Sequence, residues 1–385
     1  MDKKLVGMYL VRGGMNLLRV FPVSGKKILF CSFAGKNISC NPMYFNRYLV
    51  QYAEKGYQYI WAVKDPDSVR IPEDLKNHVR LVKTGSAAYF FEMMTAGIVI
   101  YNVGLPAGSL VPKRKQQVWV NTWHGGGAFK AADMNADHTP FREKVNQIVG
   151  RQIDIFLSSN RIFTERVSEA MKVESRKFRS TGLPRNDLFF YENENCREKV
   201  CRYYGISREN GILLYAPTFR GNFLNAREAE GMKYPLVKEA LEERFGKKFE
   251  ILERKHHAVK PTVSEGVYPA SDYPDMQELL AAADVLITDY SSCMWDFALT
   301  DKPGFLFFPD LSTFDKDRDF YTKPEQWPYE CAQTMEELCG QITAYDRKQA
   351  LKKRDDFMSL TESYEKGSAS EQLMELLKIQ KKRKK

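Results

Sequence analysis

From residue 27 almost to the C terminus, short apolar runs alternate with amphipathic stretches of helical length. Strands that run parallel need a crossover between them, usually a helix, so this alternation predicts parallel sheets covered by helices. Lys27–Ser32, Gln58–Val63, Arg80–Lys83, Ile98–Tyr101, Gln117–Thr122, Ile153–Ser158 and Lys177–Thr181 read as strands. Pro42–Lys55, Ala87–Thr95, about 140–150 and 161–170 read as the helices among them. The second half repeats this grammar without repeating the sequence. Ile212–Ala216, Glu250–Arg254, Val285–Thr288 and Phe305–Phe308 are strands there. Tyr234–Phe245, Met276–Ala282 and Ser292–Leu299 are helices, and further helices follow from Thr334. A length of 385 residues suits two domains. The expected fold is therefore α/β, two doubly wound domains facing a central cleft. The charged, turn-ending stretch around 196–209 places the boundary. The expected division is 1–26 as a membrane-association segment, 27–195 and 196–370 as the two domains, and 371–385 as a basic tail. Ligands of such domains bind at the carboxyl ends of strands.

Hydrophobic residues make up 43% and charged residues 28%, which excludes a disordered chain. Seven cysteines contain no Cys-x-x-Cys pair, which argues against a zinc site or a disulfide framework and for a reducing compartment. The net charge of +9 calls for an acidic partner: nucleic acid, anionic lipid or a phosphate-rich substrate. Nucleic-acid binding needs clustered cations with stacking aromatics, and the only dense basic run is Lys381–Lys385, so nucleic acid is the weakest of the three. No cleavable signal peptide is expected at the start. The charge-free window Met93–Pro112 holds Asn102, Pro106 and Ser109, so it reads as a buried strand and its loop, not as a membrane span. Residues 3–21 read as an amphipathic helix with Leu5, Met8, Tyr9, Met15, Leu18 and Phe21 on one stripe and Lys4, Arg12 and Arg19 together beside it. Such a helix either lies on an anionic membrane surface or packs on its own domain.

Three constellations can carry chemistry. The first is Val118-Trp-Val-Asn-Thr-Trp-His-Gly-Gly-Gly127 with Lys130 behind it. A histidine at a strand end can take a hydroxyl proton, and Gly125 and its neighbours let a ligand approach the backbone. The second is Ile251-Leu-Glu-Arg-Lys-His-His257. If the strand continues, Arg254 and His256 share a face and present two cationic donors to a pyrophosphate. The third is Ala283 to Phe297, in which a buried strand ends at Thr288-Asp289 and Ser291-Ser292 cap the next helix. A helix N-terminus favours phosphate, although a Ser-Ser pair also satisfies ordinary capping. Two weaker strand-end loops supply Thr218 and Arg220, and Arg185 and Asn186. Asp315-Lys-Asp-Arg-Asp-Phe-Tyr321 crowds acids around Arg318; its Asp-x-Asp pair could hold Mg²⁺, but it reads more simply as a solvated loop.

In this order, these motifs resemble those of the CDP-glycerol glycerophosphotransferase family, the teichoic-acid primases and polymerases. The resemblance runs from Val82-Lys-Thr-Gly-Ser86 through Thr122-Trp-His-Gly125, Thr181-Gly-Leu-Pro-Arg-Asn-Asp187, Leu214-Tyr-Ala-Pro-Thr218 and Arg254-Lys-His256. It continues through Asp284–Ser292, Asp296-Phe-Ala298, Lys302-Pro303 and Arg318-Asp-Phe-Tyr321. It implies a GT-B-like fold of two Rossmann-type domains, peripheral association with the cytoplasmic face of the membrane, and a donor site that needs no metal or other cofactor. It further implies His124 as the catalytic base, His256 as a group on the donor pyrophosphate, and Ser291 and Ser292 at the donor phosphates. The chain departs from the family at Gly126-Gly-Ala-Phe-Lys130 and at His257, where a proline is usual. The implied reaction moves a polyol phosphate from a CDP-activated donor to a hydroxyl of a lipid-linked or polymeric glycan, releasing CMP. A sugar-nucleotide glycosyltransferase on the same fold is the alternative within the enzyme class.

Overall fold

The computed structural model describes residues 3–127, 139–191, 194–221, 227–229, 231–255, 264–310 and 322–382. The chain divides into two compact units: residues 1–124, 132–187 and 364–385 form the first, and residues 125–131 and 188–363 the second.

In the first unit the strands are β1 (Ser24–Cys31), β2 (Gln58–Val63), β3 (Val79–Lys83), β4 (Ala96–Tyr101), β5 (Val118–Asn121), β6 (Ile155–Leu157) and β7 (Phe178–Arg179). They form one parallel sheet in the order β3-β2-β1-β4-β5-β6-β7. The helices are α1 (Lys3–Met15), α2 (Cys40–Tyr52), α3 (Ala87–Thr95), α4 (Pro140–Gln152) and α5 (Arg161–Ala170). A parallel sheet is buried on both faces, which is why Ile28, Leu29 and Phe30, or Val99 and Ile100, are consecutive apolar residues with no exposure.

The second unit opens with α6 (Glu194–Tyr204). Its strands β8 (Gly211–Ala216), β9 (Phe249–Glu253), β10 (Val267–Pro269), β11 (Val285–Thr288), β12 (Gly304–Phe307) and β13 (Glu330–Ala332) form a second parallel sheet, ordered β10-β9-β8-β11-β12-β13. Its helices continue with α7 (Tyr234–Phe245), α8 (Met276–Ala282), α9 (Cys293–Phe297), α10 (Met335–Thr343) and α11 (Arg347–Thr361). Both sheets share the doubly wound order, in which the chain leaves one edge and returns to build outward from its first strand. The switch points lie between β1 and β4 and between β8 and β11, where such sheets open at their carboxyl ends.

Three features depart from the sequence expectation. The units divide at Asp187/Leu188, and the charged 196–209 stretch is mostly α6, whose buried face (Cys196, Val200, Cys201) packs on α8. Residues 364–385, expected to end the second domain and form a free tail, return to the first unit. There α12 (Ala369–Leu376) buries Leu373 and Met374 against α2. The Asp187 carboxylate accepts from the Ala369 and Ser370 N–H groups at 2.8 Å each and so caps α12. Finally, α1 and the turn after it bury only part of the expected apolar stripe: Met8 is buried and Leu5, Met15 and Leu18 are half-buried, whereas Tyr9 and Phe21 are 48% and 43% exposed. Its other face leaves Leu10 71% exposed, and Leu17 and Val20 beyond the helix are 77% and 81% exposed. Arg12, grouped in sequence with Lys4 and Arg19 beside that stripe, donates to the Ser109 and Val111 carbonyls.

Candidate active site

In the second unit the candidate residues converge on the β8/β11 switch point. β8 ends at Ala216 and β11 at Thr288, so Thr218 and Asp289 emerge side by side. The buried Asp289 carboxylate accepts from Thr218 N–H (2.8 Å), Thr218 Oγ1 (3.1 Å) and Arg220 Nη1 (2.7 Å). Arg220 also donates through Nε and Nη2 to Asp310, and through Nη1 to the Thr218 carbonyl at 2.9 Å. Burial lowers the Arg220 guanidinium, but its two carboxylate neighbours more than offset that and hold it above its ordinary value. Arg220 is thus committed to shaping the strand-end loops. The guanidinium carbon also lies 5.2 Å from the Tyr290 ring centroid.

Two residues expected at the ligand also bond the backbone around them. Thr288 has no exposed surface; its hydroxyl donates to the Ala216 carbonyl at 2.7 Å and so ties β11 to β8. β9 ends at Glu253, so Arg254 no longer follows strand periodicity. Its Nη1 donates to the carbonyls of Ala270 and Tyr273, both at 2.8 Å, and desolvation lowers its pKa. Ser291 and Ser292 behave differently. Ser292 makes no side-chain cap bond, so its hydroxyl is not used up by α9; Ser291 Oγ accepts a long 3.4 Å bond from Cys293 N–H, and its side chain also hydrogen-bonds the Cys293 thiol. The three glycines after His124 group with this unit. A Cβ on Gly125 would lie 3.2 Å from the Ser292 Cβ, and one on Gly127 would fall 1.9 Å from the Trp295 ring, so a side chain at Gly127 cannot fit without moving the indole.

In the first unit, His124 leaves the end of β5 through a turn that an L-residue rarely adopts: Trp123 has φ +53°. The turn is held from two sides. Asn41, fully buried at the start of α2, donates through Nδ2 to the carbonyls of Thr122 (3.1 Å) and Trp123 (2.9 Å). The Asn121 Oδ1 accepts from Trp123 N–H at 2.8 Å. Arg185, itself buried, donates from its backbone N–H to Asn41 Oδ1 (3.1 Å) and from Nη1 to the His124 carbonyl (2.6 Å). The imidazole stacks obliquely on Trp123, with centroids 4.6 Å apart, and meets Phe33 edge-on at 5.8 Å. Its ring hydrogen-bonds the Asn102 backbone, and its Nδ1 has no partner among the described residues. Burial first, and the nearby Arg185 charge second, lower His124 to about 4, so the imidazole is neutral at physiological pH. Asn102 also bridges the β1/β4 switch point, its Oδ1 accepting from Phe33 N–H at 2.8 Å.

Asn186 is held away from the His124 turn. Its Nδ2 donates to Glu365 at 2.9 Å, and the second Glu365 oxygen accepts from Leu183 N–H at 3.1 Å. Gly182 has φ +77°, and a Cβ there would strike that carboxylate at 2.4 Å. The Thr181–Asp187 motif is therefore a latch joining the His124 turn to the C-terminal segment. Lys130, His256, Arg318, Asp315 and Asp317 lie outside the described residues. Among the described residues no three His, Cys, Asp or Glu side chains cluster closely enough to hold a metal ion. Sequence reasoning missed Asn41, Asn102, Asn121, Asp310 and Glu365. Asn102, just past a strand, followed from the strand-end rule already applied to His124; Asn41 and Glu365 act across long sequence separations and left no local signal.

These switch-point networks set the context for comparison with known proteins. The profile of CDP-glycerol:poly(glycerophosphate) glycerophosphotransferases matches residues 15–378. The chain belongs to that family. It is 30% identical over 380 residues to a teichoic acid poly(glycerol phosphate) polymerase of Bacillus spizizenii, covering 94% of each chain. It is 28% identical to a polymerase of the same description from Staphylococcus epidermidis, of which it spans 51%. A solved structure of the wall teichoic acid polymerase TagF matches with TM-score 0.79 and 27% identity, over 97% of this chain and 94% of that one. A UDP-N-acetylglucosamine 2-epimerase from Listeria monocytogenes shares the fold alone, with TM-score 0.53 and 14% identity over 92% of this chain and 96% of that one. The glycerophosphotransferase family membership and the TagF likeness make the chain a transferase with a GT-B-like fold of two doubly wound domains. Among the described residues no helix is long and apolar enough to cross a membrane.

Proposed function

We propose that the protein transfers a polyol phosphate, glycerol phosphate in the first instance, from a CDP-activated donor to a hydroxyl of a lipid-linked or polymeric wall glycan. The observation that carries this reading is the neutral His124 imidazole, fixed by Asn41 and Arg185, with Nδ1 free to accept a proton. In the proposed step His124 takes the acceptor hydroxyl's proton as that oxygen attacks the donor β-phosphorus. The bond to the α–β bridging oxygen breaks, and CMP leaves with the electron pair. Phosphoryl transfer asks little covalent work of the protein; positioning and charge stabilisation dominate. The donor phosphates are assigned to the second unit, at Ser291, Ser292 and Thr218 with His256. The structure's contribution to that assignment is the Ser292 hydroxyl that α9 leaves uncapped. Arg220 and Arg254 act there as positioning residues.

The enzyme is further proposed to work at the cytoplasmic membrane face. The exposed side chains of Val6, Leu10, Val11, Leu17 and Val20, all within residues 6–20, support this, since exposed apolar side chains gathered in one segment suit a membrane surface. Incubation with CDP-glycerol and CDP-ribitol separately, over a panel of lipid-linked and short soluble acceptors, tests the reaction. CMP release that requires acceptor and favours CDP-glycerol is expected. Release of UDP from a UDP-sugar in its place would return the chain to the glycosyltransferases.

A further inference from the structure

Two cavities in the first unit flank α4, and neither takes part in the transfer reaction proposed above. One, of about 410 Å³, is lined by Arg12, Lys113, Arg114, Lys115, Lys144 and Arg151, with Tyr9, Gln147, Ile148 and Gln152 and no carboxylate. Three of these cations are occupied. Lys113 pairs with Asp154 at 2.8 Å, Arg114 donates to the Phe21 carbonyl at 2.5 Å, and Arg12 donates to the Ser109 and Val111 carbonyls. Lys115, Lys144 and Arg151 face no carboxylate within ion-pair distance among the described residues. Like charges crowded into one cavity repel, and burial lowers Arg12 below its ordinary value, so an anion there would relieve both effects.

The second cavity, of about 250 Å³, lies on the other side of α4 and is mostly apolar. Leu105, Trp119, Val145, Val149 and Ile153 are among its lining residues. Helical spacing divides the labour: Lys144, Gln147, Ile148 and Arg151 face the basic cavity, while Val145, Asn146 and Val149 face the apolar one. Gln152 lines both. It is only 6% exposed, its Nε2 donates to the Val111 carbonyl at 2.5 Å, and its Oε1 has no partner among the described residues. Trp119, 1% exposed, likewise has no partner for its Nε1 among the described residues, at the apolar cavity. Buried polar atoms without partners are rare in folded proteins, and two of them sit on this pair of cavities. Tyr9 and Arg12 reach the basic cavity from α1, the helix whose opposite face exposes Leu10.

We propose that the paired cavities form a binding site for a phosphate-bearing lipid, with its phosphate among Lys115, Lys144 and Arg151 and the first part of its chain beside Trp119 and Val149. A site of this kind would recognise an individual lipid, over and above the general attraction of a basic surface to a membrane.

The test uses the full chain and dihexanoyl phosphatidic acid below its micellar concentration. Binding is followed by calorimetry and by the fluorescence of Trp119 and Trp123. Dihexanoyl phosphatidylcholine, glycerol 3-phosphate and inorganic phosphate are the comparison ligands. The phosphatidic acid should bind at least about tenfold more tightly than each of the three, because only it offers both an uncapped phosphate and a tail. Lys144→Gln with Arg151→Gln should weaken it by about 10²-fold, the loss of two charge-assisted bonds. Val149→Trp should remove the advantage over glycerol 3-phosphate by filling the apolar cavity. An exposed-site variant, Lys115→Gln, with unchanged thermal unfolding, guards against misfolding as the cause. Equal binding of inorganic phosphate and the lipid would overturn the tail site, and undiminished lipid binding by the double variant would overturn the phosphate site. Acceptor-dependent CMP release to a short soluble acceptor should persist in all these variants, so loss of the transfer reading and loss of this site register separately.

Discussion

Replacing Asn41 with alanine should uncouple the His124 turn from its scaffold. Asn41 has no exposed surface and makes three hydrogen bonds: from Nδ2 to the Thr122 and Trp123 carbonyls, and to Oδ1 from Arg185 N–H. Each is worth about 0.5–1.5 kcal/mol net, and the partners left behind are buried, so the loss should total about 2–4 kcal/mol. The change also releases a strained residue, because Trp123 holds φ +53° only while its surroundings over-determine it. The backbone at 122–124 should relax, moving the imidazole by a fraction of an ångström or more. Misplacement on that scale costs about 10²-fold in rate when positioning dominates. Urea unfolding followed by fluorescence gives the stability term, and steady-state CMP release gives the rate term. The loss should fall on kcat with KM for the CDP-donor little changed, because Asn41 bonds Thr122, Trp123 and Arg185 of the first unit, around the His124 turn. A purely structural role would lower stability and the fraction of active enzyme but leave kcat per folded molecule intact. An Asn41→Ala enzyme with wild-type stability, or with wild-type kcat per folded molecule, would refute the reasoning.

Three further outcomes follow from the same geometry. His124→Ala should reduce turnover about 10²–10⁴-fold while calorimetric donor binding persists. Because His124 is lowered to about 4, the acid limb of kcat/KM from this group should fall near that pH, well below the ordinary 6.5. The sign for folding is the same: between those values the unfolded chain binds the proton and the folded chain does not, so stability declines as pH drops through that window. A limb at pH 6.5 assigned to His124 by its loss in the alanine variant would contradict the desolvated setting. Asp289→Ala should destabilise the second unit by about 2–4 kcal/mol, since it removes one of the two carboxylates on Arg220 and leaves the Thr218 N–H without its acceptor, and differential scanning calorimetry should show it as a lowered transition; an unchanged transition would remove Asp289 from the scaffold. Activity should survive excess EDTA; its loss with recovery on Mg²⁺ would redirect attention to Asp315 and Asp317.

Much of the fold was written in local pattern. Apolar runs such as Ile28–Phe30 or Leu286–Ile287 announce strands buried on both faces, and the helices between them force those strands to be parallel. The strand-end rule then led to His124, Thr218 and Asp289, and all three stand at or beside sheet ends. The short strands β10 (Val-Tyr-Pro) and β13 (Glu-Cys-Ala) escaped the reading because neither carries an apolar run such as the Ile-Phe-Leu of β6. A charged composition likewise hid α6, whose buried face is a few residues wide.

What each candidate side chain does was decided only by tertiary structure. Sequence placed Arg185, Arg220 and Arg254 beside strand ends, where a cation suits a phosphate. Packing gave Arg185 the His124 carbonyl, Arg220 the carboxylates of Asp289 and Asp310, and Arg254 two backbone carbonyls. The same holds for α1, where the hydrophobic stripe is legible in sequence but the choice of which apolar face meets the protein is not. Local sequence sets backbone conformation and periodicity through interactions a few residues apart. The partner of a polar or apolar surface is chosen by contacts 182 residues or more distant, as between Leu183 or Asp187 and the returning C-terminal segment.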